Sequence, residues 1–310
     1  MRARLAAVLC LSLLPLSACS GGSGTAVRVS GVFGRRPDVT IPKGAPNGKF
    51  AESTLISGKG TRVHDGDLVV ADYAGYTWNA SQNKLIATSY AGDIPAAFPS
   101  WTLVPGLKKA LVGKRTGSRV VAVIPPGDGY GDQGSPQLQI GGQDSLVYVL
   151  DIRAALPRTA SASGRAQPLS EPSLPQVGAT GTGTAASGQT PPVSVPKTAP
   201  PSALTVRTLI QGTGPAVRSG QLLAVQYAGY LWRTGQAFDS SYTSGHVFST
   251  VIGAKQVVQG WDRGLVGQKV GSRILLVVPP ADGYGGKGLA QYGIKGDDTL
   301  VYVVDLVAAY

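Results

Sequence analysis

The chain is poor in the side chains that most often carry enzymatic chemistry. Its 310 residues include two cysteines and two histidines, and charged residues make up 15% of the chain. So few cysteines and histidines leave no material for a disulfide framework or a zinc cluster. The low charge content argues against coiled coils and charged helical bundles. If the protein is an enzyme, its chemistry should therefore need no metal, no cofactor and no strong nucleophile.

Glycine and proline are abundant instead, with 43 and 22 residues, and 43% of the chain is hydrophobic. This composition favours a folded, loop-rich protein with many strands over a globally disordered one. The length indicates about two domains. A literal G-x-G-x-x-G occurs at 129–134 and again at 283–288. Neither match leads into a helical pattern, so we interpret both as turn glycines and not as a dinucleotide site.

The net charge of +11 is spread along the chain. Its densest basic pairs are Arg35–Arg36, Lys108–Lys109 and Lys114–Arg115. No run of five basic residues occurs, and no RNA-binding aromatic signature accompanies the pairs. We therefore predict no nucleic-acid site. The basic surface should adhere only weakly to anionic polymers or lipid headgroups.

The N-terminus has the pattern of a secretory signal. Arg2 and Arg4 precede an apolar stretch at 5–16, and the sequence Leu-Ser-Ala-Cys that ends at Cys19 resembles the lipobox of bacterial lipoproteins. We expect residues 1–18 to be a signal peptide and Cys19 to carry lipid. The protein would then be secreted and anchored by this lipid to the outer face of the bacterial cytoplasmic membrane. The alternative is an ordinary signal peptide with an incidental Cys19.

The sequence contains one segment twice. A shift of 154 residues places Tyr73–Tyr76 on Tyr227–Tyr230 and Gly117–Arg119 on Gly271–Arg273. Further matches follow in the same order, among them Asp128–Gly131 on Asp282–Gly285 and Leu146–Val149 on Leu300–Val303. A period this long indicates a duplicated domain and not a solenoid. We place the two copies at 50–156 and 204–310.

The segment between the copies is low in aromatic and aliphatic residues. Residues 157–203 are rich in Pro, Ala, Ser, Thr and Gly, which predicts a disordered linker. Residues 19–49 are interpreted as a tether. Within the second copy, Leu222–Tyr227, Arg273–Val278 and Thr299–Val307 have strand patterns, and Gln259–Val266 suits one short helix. The fold class is therefore α+β, with a curved antiparallel sheet wrapped on a short helix in each copy.

The second copy carries an ordered set of motifs: Y-x-G from Tyr227, G-x-x-F-D-S-S over Gly235–Ser241, V-V-x-G-W over Val257–Trp261, and Y-G from Tyr284. This set resembles the FK506-binding-protein family of peptidyl-prolyl cis/trans isomerases. The resemblance implies a five- or six-stranded antiparallel sheet curved over a short helix, with a proline-binding pocket between them. Proline-containing polypeptides would be the substrates, and FK506-like macrolides are further candidate ligands.

The resemblance also assigns residues to this pocket. Trp261 would be the floor, and Asp239 and Tyr284 would be the polar groups at the rim, with Tyr284 bonding a substrate carbonyl. The implied catalytic set is Phe238, Asp239, Trp261 and Tyr284, and the implied binding set is Tyr227, Phe248, Val257, Val258, Ile294 and Tyr302. Two positions depart from the family pattern: Gln256 stands where Glu is common, and Tyr302 stands where Phe is common.

The first copy lacks part of this set. Aligned on their neighbours, Phe238 and Asp239 become Ile86 and Ala87, and Trp261 becomes Leu107. The wall positions are kept, with Tyr73, Leu103, Val104, Tyr130, Ile140 and Tyr148. We therefore expect the first copy to fold but to isomerise X-Pro bonds poorly. It would serve as a spacer or as a peptide- or protein-binding module.

These observations predict a monomeric prolyl isomerase that acts through its second domain on exported polypeptides at the cell envelope. A dry aromatic pocket is suited to this reaction, because the twisted amide of the transition state is less polar than the planar one. The competing interpretation is a non-catalytic lipoprotein in which both pockets hold proline-bearing segments.

Overall fold

A computed structural model describes residues 26–178 and 190–310. The chain divides into two compact units, a first domain that runs to Ala155 and a second domain from Leu156 onward, with Gly66–Leu68 grouped with the second. Residues 1–18 and Cys19 lie outside the described residues, so the signal peptide and the lipidation site remain predictions. Within the described ranges, no helix is long and apolar enough to span a membrane.

The described part of the first domain, from residue 26 onward, contains eight strands and one α-helix. The elements are β1 (Arg28–Ser30), β2 (Asp38–Thr40), β3 (Ala51–Ile56), β4 (Leu68–Trp78), β5 (Asn83–Thr88), β6 (Ala96–Pro99), α1 (Pro105–Leu111), β7 (Arg119–Ile124) and β8 (Ser145–Leu156). Six strands form a sheet in the order β3-β7-β8-β4-β5, with β6 also paired to β4, while β1 and β2 form a separate hairpin.

The second domain repeats this arrangement. Its elements are β9 (Gly164–Ala166), β10 (Gln176–Val177), β11 (Val193–Ser194), β12 (Thr205–Gly212), β13 (Leu222–Leu231), β14 (Ala237–Ser240), α2 (Ser241–Ser244), β15 (Phe248–Val251), α3 (Gln259–Leu265), β16 (Arg273–Val278) and β17 (Leu300–Ala309). The sheet order is β14-β13-β17-β16-β12-β9, with β15 paired to β13, and β10 pairs with β11. The predicted α+β fold with one short helix on an antiparallel sheet is confirmed in both copies.

Each helix lies close against the inner face of its sheet. In the second domain, a Cβ on Gly260 of α3 would come within 2.6 Å of the Val278 Cγ1 atom. The first domain repeats this contact between Gly106 and Ile124, where the corresponding distance is 2.3 Å. A glycine is needed at this position because any side chain would push the helix off the strand. The close approach fixes the next residue of each helix, Leu107 or Trp261, in the inner core.

The outer face of each sheet is covered by the segment that precedes the domain. Val27, Val29 and Ile41 pack with Trp78 in one apolar cluster. In the second domain Leu174, which is 3% exposed, packs with Tyr230 and Trp232. We call 26–49 and the described parts of 157–203 the N-terminal extensions. In the described parts of the predicted tether and disordered linker, at 26–49, 157–178 and 190–203, apolar residues find partners on the sheet and short strands form, so these parts differ from the prediction.

A buried ion pair holds each extension. The Arg273 Nε atom donates to the Asp305 Oδ1 atom at 2.6 Å, and the other oxygen of Asp305 accepts from the Ala162 N atom at 3.0 Å. In the first domain Arg119 and Asp151 form the same pair at 2.6 Å, and Arg119 also donates to two carbonyls of the extension at 2.8 Å. In both copies, the ion pair in the sheet therefore forms hydrogen bonds with the backbone of the extension.

Candidate active site

A cluster of aromatic rings surrounds Trp261 between α3 and the inner face of the second sheet, where the family resemblance places the proline-binding pocket. Trp261 is 3% exposed and occupies its centre. Three rings stand edge-on to the indole, with centroid distances of 5.2 Å for Tyr227, 5.4 Å for Tyr302 and 6.2 Å for Phe248. The indole Nε1 atom is buried and has no hydrogen-bond partner among the described residues. The pocket floor is therefore apolar apart from one N–H group.

Strand register brings the wall and rim residues together. Gly229 on β13 pairs with Asp239 on β14 and with Tyr302 on β17. A Cβ on Gly229 would come within 2.6 Å of the Phe238 Cζ atom and 3.0 Å of the Tyr302 Cε1 atom. The missing side chain at Gly229 thus allows these two rings to meet edge-on, with centroids 5.7 Å apart. Gly229 is a structural part of the pocket that was not assigned to it from the sequence.

Asp239 is held at the rim by Tyr227, whose hydroxyl donates a hydrogen bond to its Oδ2 atom. Burial, followed by the hydrogen bond to Asp239, raises the pKa of Tyr227. Burial also raises the pKa of Tyr284 and, followed by the charges of neighbouring groups, that of Tyr302. All three phenols therefore remain protonated at neutral pH and can act as hydrogen-bond donors.

The other predicted pocket residues lie in the same place. Val257, Val258 and Ile294 pack into the core beneath the pocket, and Phe248 is 37% exposed at its mouth. Gln256 accepts a hydrogen bond from the Val251 N atom at 3.1 Å, which fixes the loop between β15 and α3. The structure therefore brings every residue of the predicted catalytic and binding sets together, although their roles in catalysis stay predictions.

Tyr292 is an exposed aromatic residue that the sequence analysis did not name. It is 41% exposed and ends the short turn Ala290–Tyr292, which precedes the pocket residue Ile294. It lies in the loop between the Y-G motif and β17, which carries none of the family motifs named above. The sequence gives one indication that this position differs between the copies. The shift of 154 residues places the apolar Leu138 of the first copy on Tyr292.

The first domain keeps the scaffold with different side chains. Leu107 of α1, which is 6% exposed, takes the place of Trp261, and Ala87 pairs with Gly75 as Asp239 pairs with Gly229. Phe98 stands edge-on to Tyr73 with a centroid distance of 5.3 Å. In the described part of this domain no carboxylate is hydrogen-bonded to Tyr73. The aromatic floor and the rim carboxylate are both absent, as the repeat alignment predicted.

Comparison with known proteins agrees with this architecture. The family model of FKBP-type peptidyl-prolyl cis-trans isomerases matches twice, at residues 59–153 and 214–307. The chain belongs to this family. An FK506-binding protein of Streptomyces anulatus is 39% identical over 118 residues, which cover 38% of this chain and 95% of that protein.

A longer match extends over both domains of the present chain. The rat peptidyl-prolyl cis-trans isomerase FKBP9 is 28% identical over 264 residues, which cover 84% of this chain and 33% of the rat protein. Among solved structures, FkpA from Escherichia coli is 36% identical, with a TM-score of 0.32, over 34% of this chain and 47% of that one. The two matches of the family model show two tandem FKBP domains in this chain.

Proposed function

We propose that the second domain is the prolyl isomerase of this chain and that the first domain isomerises X-Pro bonds poorly. The observation that carries the proposal is the contrast between the two pockets. Trp261 and Asp239 lie in the second pocket, while Leu107 and Ala87 occupy the equivalent positions of the first. The substrates would be exported polypeptides that fold at the cell envelope. FK506-like macrolides would compete for the same pocket.

The pocket can favour the twisted amide without moving a proton. Resonance gives the X-Pro bond a barrier of about 18–20 kcal/mol, and this resonance is lost when the bond is twisted by 90°. An apolar floor solvates the planar, more polar amide poorly, so the twisted form gains relative stability. Lowering the barrier by about 5–7 kcal/mol would accelerate the reaction by four to five orders of magnitude.

Asp239 has a separate part in this scheme. Its carboxylate lies at the rim and accepts the Tyr227 hydroxyl, which fixes the carboxylate's position. A carbonyl oxygen carries less negative charge in the twisted amide than in the planar one. A fixed carboxylate close to that oxygen therefore repels the transition state less than the ground state. Tyr284 would donate its hydroxyl to a neighbouring carbonyl of the substrate.

Asp239→Ala in the full chain should lower kcat/KM for a proline-containing peptide by about tenfold, or about 1.4 kcal/mol of transition-state stabilisation. A protease-free isomerisation assay measures this. Asp297→Ala is the matched control, because Asp297 is exposed and its charge acts on Arg233 outside the pocket. Full activity of the Asp239→Ala variant would remove the rim carboxylate from the mechanism.

Non-catalytic binding is the second candidate function, and the first domain favours it. Phe98 and Leu107 give this domain an apolar site without a rim carboxylate. Such a site can hold a proline-bearing segment without lowering its rotational barrier. This function predicts that titration with the peptide shows saturable binding. The isomerisation assay should then show no acceleration of cis/trans exchange.

We also propose that the chain is a lipoprotein anchored outside the cytoplasmic membrane. The support is the apolar stretch at 5–16, followed by Leu-Ser-Ala-Cys at Cys19. Cys19→Ala should move the protein from the membrane fraction to the soluble fraction. Cys10→Ala is the matched control and should stay membrane-bound, because Cys10 would be removed with the signal peptide. Recovery of the unaltered protein solely in the soluble extracellular fraction would contradict the anchor.

A further inference from the structure

Two loops of the first domain pair at the end of α1, at residues 59–63 and 113–117. The Gly60 N atom donates to the Thr116 carbonyl at 3.1 Å, and the Val63 N atom donates to the Lys114 carbonyl at 2.8 Å. The second domain repeats both bonds, from Gly214 to Val270 at 3.0 Å and from Val217 to Gln268 at 2.8 Å. The backbone of this loop pair is therefore the same in both copies.

The side chains on this shared backbone differ strongly in charge. The first domain carries four cations, and the shift of 154 residues places one cation and three uncharged residues on the second. The cations are Lys59, Arg62, Lys114 and Arg115, and their counterparts are Thr213, Ala216, Gln268 and Lys269. We call these four residues of the first domain the basic loop pair. The second copy forms the same backbone without three of these charges, so the backbone does not require them.

Three of the four cations have no carboxylate partner among the described residues. Arg62 and Arg115 oppose each other directly in a β-bridge, where like charges are destabilising. Arg115 donates one Nη atom to the Gly60 carbonyl at 2.9 Å, and neither Arg62 nor Lys59 forms an ion pair. Lys114 does pair, with Glu52 at 2.5 Å. Lys59, Arg62 and Arg115 are all exposed, so their charge faces solvent.

We propose that the basic loop pair binds the surface of a membrane that contains anionic phospholipids. The choice of partner rests on the proposed lipid anchor, because the seven residues that follow Cys19, at 20–26, can span at most about 25 Å. The first domain would thus stay near the membrane, where an exposed cationic surface can come into contact with the headgroups. Binding through the basic loop pair would orient the first domain on the membrane.

The test uses the unlipidated full chain, carrying Cys19→Ala, and vesicles of zwitterionic lipid with or without 30% anionic lipid. Each Lys or Arg at an anionic surface contributes about fivefold to binding. Adding Lys59→Thr and Arg62→Ala, the residues of the second copy, should therefore weaken partitioning onto anionic vesicles by about 10- to 30-fold. Binding to zwitterionic vesicles should stay the same, since the apolar stretch at 5–16 is present in both proteins.

Two controls separate charge from folding. Lys59→Arg with Arg62→Lys keeps the charge and should keep the binding within about twofold. Thr213→Lys with Ala216→Arg builds the same charges on the second domain and should strengthen binding to anionic vesicles. The thermal unfolding of each variant should match that of the parent chain, because the backbone of the loop pair is shared.

Equal binding by the parent and the Lys59→Thr, Arg62→Ala variant would overturn the proposal. So would binding to soluble polyphosphate without binding to anionic vesicles, which would make the partner a polymer. The lipid anchor is tested in a separate experiment, the cell fractionation of the unaltered protein and the Cys19→Ala variant. The vesicle experiment contains no lipidated protein, so its result does not depend on that outcome.

Discussion

Asp305→Ala should lower the free energy of unfolding of the second domain by about 3–5 kcal/mol. The Arg273 side chain is 5% exposed, and the substitution leaves its charge buried without the carboxylate that neutralises it. The Ala162 N–H and the Tyr242 hydroxyl lose the same acceptor, at 3.0 Å and 2.9 Å. The N-terminal extension should loosen together with the sheet, because the Ala162 contact belongs to the extension.

Denaturant unfolding of the full chain, followed by fluorescence and circular dichroism, measures this change. Asp151→Ala is the matched variant and should destabilise the first domain instead. Replacing both partners, Arg273→Met with Asp305→Leu, should recover the part of the loss that comes from the buried charge of Arg273, while the Ala162 N–H and the Tyr242 hydroxyl stay without this acceptor. A loss below about 1 kcal/mol for Asp305→Ala would show that the carboxylate is not needed to hold the extension.

Giving the second pocket the side chains of the first should abolish most of its activity. The triple variant Phe238→Ile, Asp239→Ala and Trp261→Leu should lose at least about 100-fold in kcat/KM, or about 3 kcal/mol. It removes the aromatic floor, one wall ring and the rim carboxylate together. The first domain shows that this sheet and helix accommodate Ile86, Ala87 and Leu107, so the variant should fold.

The isomerisation assay is again made on the full chain, with thermal unfolding as the check on folding. The reverse transplant, Ile86→Phe with Ala87→Asp and Leu107→Trp, asks whether these residues suffice for activity in the first domain. Unchanged activity of the triple variant would mean that catalysis does not depend on the second pocket. The assignment of the isomerase to the second domain would then be wrong.

The sequence predicts the elements that position the site with good accuracy. The strand predicted at Arg273–Val278 has those bounds in the structure, and the helix predicted over Gln259–Val266 ends one residue earlier, at Leu265. These elements have strong local patterns, and the repeat supplies each pattern twice. The pocket residues could be named because their motifs are ordered along the chain, although Tyr292 lies in a loop without such a motif.

The N-terminal extensions could not be predicted from composition. Leu174 and Val193 are isolated apolar residues in a segment of small and polar ones, and only the sheet gives them a surface on which to pack. One signal was available. Arg119 and Asp151, each inside an apolar strand sequence, recur as Arg273 and Asp305 after the same shift of 154 residues. A repeated pair of opposite charges in buried strands indicates a buried ion pair.

Each extension covers the outer face of its sheet. The segment that must be kept together when a domain is moved into another protein is therefore longer than the region matched by the family model. A gene fragment that begins at codon 204 would encode a sheet whose back presents Trp232, Tyr230 and Leu275 to water. The buried ion pair recurs in the strands of both copies, and in both it bonds to the extension. A hybrid protein that borrows the isomerase should therefore be spliced near residue 157.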